Sequence, residues 1–176
     1  MTSSDRSARD VGLLFHVVLH EPEIPNNTGN IGRTCVATRC GLHLIHPLGF
    51  ELSEKACRRA GLDYWPRLCV REHADWEAYL SNERVPRERL WVFTTRTQRC
   101  VFDATFELGD SFVFGKESAG LPRDLLDAYA DRCVSFPMAS GERSVNLASV
   151  VSAAVYEGIR QLRVRNLIGQ GRELSG

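Results

Sequence analysis

Lysine is almost absent from this chain: Lys55 and Lys116 stand alone against 20 arginines. Basic and acidic residues balance at 22 each, so no whole-chain basic field marks a nucleic-acid partner, and none is excluded. Arginine forks suit phosphate, although a GC-rich genome gives the same bias without any function. No apolar run approaches the roughly 20 residues that a membrane-spanning helix needs, and residues 1–10 are polar where a signal peptide has its apolar segment. A soluble cytoplasmic protein without a membrane partner is expected. The six cysteines (35, 40, 57, 69, 100 and 133) include no Cys-x-x-Cys pair, and the five histidines show no ligand spacing with one another or with a cysteine. Buried free thiols and no metal are the expectation. Neither G-x-G-x-x-G nor G-x-x-x-x-G-K-[ST] occurs, so the common dinucleotide fold and the P-loop are not signalled.

What is present fits one domain. With 176 residues and 43% hydrophobic content the chain can bury a sizeable core, placed at residues 13–163 between polar tails at 1–12 and 164–176. Apolar runs at 13–20, 42–46, 90–94, 111–114 and 133–136 read as short strands, each followed by a loop rich in polar residues or glycine. A helix is expected over 30–40, closed by Gly41 as its C-terminal cap. The last long element places Leu147, Val150, Val151, Ala154, Val155, Gly158, Ile159 and Leu162 on one helical face. Beside that face Ala148, Ser149, Ser152 and Ala153 are small enough for a second backbone to approach closely. Strands alternating with helices predict an α/β domain whose mainly parallel sheet is flanked by helices.

Ligand sites in such sheets lie at the carboxyl ends of the strands, which directs attention to three loops. The first is Pro25-Asn26-Asn27-Thr28-Gly29-Asn30-Ile31-Gly32-Arg33, a polar turn feeding a helix whose N-terminal amides can face an anion. Arg33 in a first helical turn opposes the helix dipole, which hints at a task, although an ion pair explains it equally well. The second is Phe114-Gly115-Lys116-Glu117-Ser118-Ala119-Gly120-Leu121-Pro122, where two glycines bracket charged residues ahead of a helix opening near Pro122. The third runs from Phe136 through Met138, Arg143, Ser144 and Asn146 to Leu147. Either Ser144 or Asn146 can cap the final helix.

In this order and near these spacings, the three loops resemble the signature motifs of the SpoU branch of the SPOUT superfamily of RNA ribose methyltransferases. The likeness covers roughly residues 14–162. Within the family the chain looks most like the short enzymes that methylate the tRNA wobble nucleotide, also in Glu21-Pro22-Glu23-Ile24-Pro25, in residues 42–50 and in Arg59-Ala60-Gly61-Leu62-Asp63-Tyr64-Trp65. The resemblance implies a C-terminal deep trefoil knot, against the usual rule that chains are unknotted. It also implies a homodimer whose active site borrows from both chains, S-adenosyl-L-methionine (SAM) as cofactor, and a tRNA anticodon stem-loop as partner. On the family's pattern SAM is held by Phe93, Thr94, Thr95, Gly115, Glu117, Gly120, Phe136, Met138, Ser144, Asn146 and Leu147. Asn30, Arg33, Glu117, Ser144 and Asn146 fall on the catalytic positions. Lys116 and Ala119 depart from what relatives often carry. The alternatives are a family member acting on another tRNA or rRNA site, and a non-catalytic RNA-binding homologue.

Overall fold

The computed structural model describes residues 12–52 and 63–174. The polar N-terminal residues 1–11, Lys55, Cys57 and the similarity segment at Arg59, Ala60, Gly61 and Leu62 lie outside the described residues. Six strands form one sheet: β1 (Phe15–His20), β2 (Gly41–Ile45), β3 (Val70–His73), β4 (Leu90–Phe93), β5 (Asp110–Phe114) and β6 (Cys133–Val134). Their spatial order is β3-β2-β1-β5-β4-β6, and every pairing is parallel. Among the described residues the α-helices are α1 (Pro25–Thr38), α2 (Trp76–Glu83), α3 (Arg123–Ala128) and α4 (Leu147–Val164). The α/β architecture with a parallel sheet is as the alternation of elements predicts.

Both faces of the sheet are covered, which is why its strands are apolar on both sides rather than alternating with polar residues. Phe15, Val17 and Leu19 of β1 join Phe112 and Phe114 of β5 in a core sealed by Ile31 and Cys35 of α1 and by Val151, Ala154, Val155, Ile159 and Leu162 of α4. The opposite face packs Val18, Ile45, Val92 and Val113 against Tyr79 of α2 and Leu125 and Leu126 of α3. The helical face assigned to 147–162 is therefore largely the face α4 turns to the sheet. Among the described residues no helix is long and apolar enough to cross a membrane.

Three local expectations are corrected. Strand β3 was not anticipated, because Val70-Arg71-Glu72-His73 has charged residues in place of an apolar run; as the edge strand it pairs on one side only, with β2. The first helix begins at Pro25, five residues before the expected start, and Arg33 lies in its middle, so no dipole penalty applies to it. The Pro-Asn-Asn-Thr-Gly run looks like a loop, but proline is favoured in a first helical turn, and the amides of Glu23 and Ile24 just before it donate to a distant segment. Finally, the C-cap of α1 is Arg39 in the left-handed conformation (φ 55°), while Gly41 opens β2. Arg39 also donates to the Leu174 carbonyl at 2.6 Å, and Ile168 is buried, so the chain after α4 folds back onto the domain. Of the cysteines, 35, 40 and 133 are buried free thiols and Cys100 is a half-buried one; burial pushes the Cys40 thiol up to about 11.

Candidate functional site

The loops leaving β4, β5 and β6 enclose a cavity of about 540 Å³ together with the segment leading into α4, within the size range of small-molecule and cofactor sites. Phe93 and Phe114, the last residues of their strands, stack at 4.6 Å against its inner end. All eleven residues assigned to the cofactor line it: Phe93, Thr94 and Thr95 after β4; Gly115, Glu117 and Gly120 after β5; Phe136 and Met138 after β6; Ser144, Asn146 and Leu147 before α4. Thus the sequence motifs meet in one place although they lie up to 54 residues apart, from Phe93 to Leu147. The β5 loop doubles back tightly, with the Gly120 amide donating to the Lys116 carbonyl at 2.8 Å. Any Cβ on Gly115 would stand 2.2 Å from the Gly120 carbonyl carbon, and Gly120 itself has φ +72°. Gly115 is needed because the loop touches its own backbone there, and Gly120 because its backbone is left-handed.

A polar chain crosses the mouth of the cavity. The Glu117 carboxylate accepts from the amides of Glu23 (2.9 Å) and Ile24 (3.3 Å) and from Asn27 Nδ2 (2.9 Å). Ile24, the N-cap residue of α1, supplies no side-chain cap, so Glu117 provides the anion and acceptors that a helix start favours. Asn146 Nδ2 then donates to Asn27 Oδ1 at 3.0 Å. The Asn146 Oδ1 atom accepts from Ala148 and Ser149, which settles the cap of α4 on Asn146 rather than Ser144. Asn27, buried at 7% exposure, joins all three motifs but was not among the expected site residues. Its signal was present in the sequence only as one more asparagine of a polar turn.

Asn30 and Arg33 do not reach the cavity wall. Both are exposed on α1; the Arg33 side chain is 63% exposed, lies 4.5 Å over the Tyr64 ring, and has Nη2 3.6 Å from Asp63 Oδ1. Arg96 and Arg143, which no motif singled out for a role, do line the cavity. Lys116 pairs with Glu21 at 2.7 Å, and this bond raises the ammonium pKa.

Three histidines that are far apart in sequence meet on the α2 face of the sheet. His16 Nδ1 lies 3.0 Å from His43 Nε2, and His43 Nδ1 lies 3.0 Å from His73 Nε2. With Glu83 the last two bring ligand-type atoms within 4.8 Å of one another, a convergence that spacing along the chain does not disclose. The Arg71 guanidinium holds the Glu83 carboxylate at 2.5 Å and places a positive charge against any cation there. Burial holds the His43 ring well below the usual imidazole range.

Comparison with known proteins places this geometry. The family model of the SpoU rRNA Methylase family matches residues 14–156. The tRNA (cytidine(34)-2'-O)-methyltransferase of Burkholderia pseudomallei is 48% identical over 149 residues, 84% of this chain and 96% of that protein. A solved structure described as giving insight into 2-OH methylation of C/U34 on tRNA is 44% identical, with TM-score 0.76, over 86% of this chain and 97% of that one. The fold is shared more distantly by the SpoU methyltransferase AviRb of Streptomyces viridochromogenes in complex with AdoMet, at 24% identity and TM-score 0.72 over 87% of this chain and 58% of that one. With the family model covering most of the 176 residues, and with a relative this similar over nearly its whole length, the chain belongs to the SpoU methylase family.

Proposed function

We propose that the protein is a SAM-dependent tRNA 2'-O-ribose methyltransferase acting on the anticodon wobble nucleotide, cytidine or uridine 34, in the cytoplasm. The observation that carries this reading is the convergence of all eleven expected cofactor residues on one cavity at the strand ends, in a chain 48% identical to a tRNA (cytidine(34)-2'-O)-methyltransferase. The cavity fits SAM in its chemistry: stacked Phe93 and Phe114 offer an apolar end, and the backbone-rich β5 loop, held open by two glycines, offers amides and carbonyls. Bound there, SAM supplies an electrophilic methyl group. Much of the acceleration of such an in-line displacement comes from positioning. Glu117, Asn27 and Asn146 hold the three loops in register around the acceptor.

The 2'-hydroxyl must also lose a proton. A guanidinium stays protonated in proteins, so Arg33 binds the phosphate beside the target ribose and stabilises developing alkoxide charge rather than acting as base. Tyr64 and Asp63 preorient it for that work. Because Asn30 and Arg33 are exposed and do not line the cavity of their own chain, the reading includes a homodimer in which α1 of one protomer serves the other's cavity. An uncovered stripe on α4, Ser149, Ala153 and Tyr156, the last 58% exposed, supports it. The trefoil knot belongs to the same reading. It is supported by Ser135 exchanging backbone hydrogen bonds with Arg99 and Val101 while its neighbour Val134 bonds Thr94, so this segment runs between two stretches of chain.

The test mixes protein, SAM and total tRNA from a strain deleted for the gene, then digests the RNA and identifies ribose-methylated nucleotides by mass spectrometry. A new methyl on nucleotide 34 is expected. A methyl elsewhere would replace the substrate, and none at all, with SAM bound, would overturn the enzymatic reading.

A further inference from the structure

The loops before α1 and after β5 exchange carboxylates. Glu117 leaves the cofactor loop to accept from Glu23, Ile24 and Asn27. In the reverse direction, the Glu23 carboxylate accepts from the Ser118 amide and from Ser118 Oγ, both at 2.9 Å. These bonds from Ser118 hold the Glu23 carboxyl below its usual range. The two segments are 95 residues apart in sequence, so neither exchange follows from local chain geometry. Ser118 faces the cavity on the turn between Gly115 and Gly120, while Glu23 stands two residues before the start of the helix that carries Asn27, Asn30 and Arg33.

We infer that Glu23 is a positioning residue for methyl transfer: through Ser118 it ties the cofactor loop to α1, so that cofactor and RNA each tighten the other's binding. This rests on the function proposed above. A ligand that orders the β5 loop fixes Ser118, which fixes Glu23 and with it the start of α1, so the RNA no longer bears that ordering cost. Linkage requires the reverse effect to be equal. Glu117 makes a second tie from the same loop to the start of α1, through the amides of Glu23 and Ile24 and through Asn27, and substitution of the Glu23 side chain leaves that tie in place. A ligand can shift such an equilibrium only by its differential affinity, so removal of the Glu23 side chain should weaken the coupling while the cavity itself remains.

The experiment uses the full-length protein, a tRNA that the wild type methylates, and S-adenosylhomocysteine as the cofactor probe. The tRNA Kd is measured with and without saturating probe for wild type, Glu23→Ala, Glu23→Gln and Ser118→Ala. In the wild type the probe should tighten tRNA binding by about five-fold or more, and in Glu23→Ala that factor should drop at least about two-fold. Probe affinity in the absence of tRNA should be retained, and probe affinity at saturating tRNA should weaken by the same factor that the coupling loses. Glu23→Gln, which keeps an acceptor but not the charge, should lie between, and Ser118→Ala should reproduce part of the loss. A wild-type factor of one, or an equal factor in wild type and Glu23→Ala, overturns the inference. A lowered melting temperature with unchanged coupling also overturns it, since that is a purely structural role. If the wild type methylates no tRNA, the proposed function itself fails; methylation with unaltered coupling in the variants removes only the role of Glu23.

Discussion

Gly115 and Arg33 show two ways in which a single position carries the site. At Gly115 the constraint is steric: a methyl group would overlap backbone of its own loop, 2.2 Å from the Gly120 carbonyl carbon and 2.3 Å from the Leu121 amide. Backbone cannot yield as a flexible side chain does. Gly115→Ala is expected to abolish SAM binding by calorimetry while far-UV circular dichroism keeps the α/β spectrum; measurable SAM affinity in the variant would show that the loop tolerates the change. At Arg33 the constraint is electrostatic, on an exposed side chain with no place in the wall of its own cavity. Arg33→Ala should reduce methylation at least about 100-fold, as loss of a transition-state donor does, with SAM affinity unchanged. Parallel loss of both would point to misfolding. The arginine was legible as a candidate from its motif. Its neighbours Tyr64 and Asp63, which orient it, were legible only as part of a similar stretch.

At the scale of elements, the helix starts separate local from distant chemistry. Asn146 caps α4 with its own side chain, and the sequence offered that cap, though not the choice between it and Ser144. Nothing local caps α1, so its true start at Pro25 was hidden: the acceptor is Glu117, roughly 90 residues away. Asn146 also bridges the two helices, and the two roles can be divided. Asn146→Asp keeps the acceptor for Ala148 and Ser149 but loses the donor to Asn27, so stability should stay near that of the wild type while methylation falls. Asn146→Ala loses both and should cost about 1 kcal/mol in urea unfolding. Equal stability in the two variants would refute the capping role. In the sheet, His43 of β2 carries a pH dependence whose sign is fixed by burial. His43 titrates near 6.5 in the unfolded chain and well below that in the folded one, through desolvation first and the neighbouring His16, His73 and Arg71 second. The folded state therefore binds fewer protons below pH 6.5. Stability from this source is fully present above that pH and declines as acid approaches the folded pKa, by at most about 1.4 kcal/mol per pH unit for the one ring. His43→Gln should flatten the decline in melting temperature between pH 7 and 5, and an unchanged slope would assign it to other groups.

For the whole molecule, the decisive property is that α1 leaves Asn30 and Arg33 exposed, outside the lining of the cavity that its start helps to build. In the proposed function that surface meets a second copy of the chain. Ala153 is exposed on α4, close in sequence to exposed Tyr156 and Val145, and a large charge there should be tolerated by the fold but not by that contact. Ala153→Glu is expected to sediment as an inactive monomer with intact SAM binding, and an active dimer would remove α4 from the interface.

By itself the sequence determined the fold class, through runs of apolar residues that alternate with helical periodicity, and it determined which loops matter, because glycine, asparagine and charge gather at the strand ends. Its expectation of buried thiols holds at Cys35, Cys40 and Cys133, which behave as small hydrophobes, but not at Cys69 and Cys100, which are half-buried. Only the tertiary structure decided the start of α1, the edge strand β3, the histidine chain across three strands, and the carboxylate exchange between Glu23 and Glu117. The physical reason is common to these four. Apolar periodicity is a local property, written within a few residues, whereas a hydrogen bond between side chains tens of residues apart, or a strand that needs a partner on one side only, exists only after the sheet has brought those residues together.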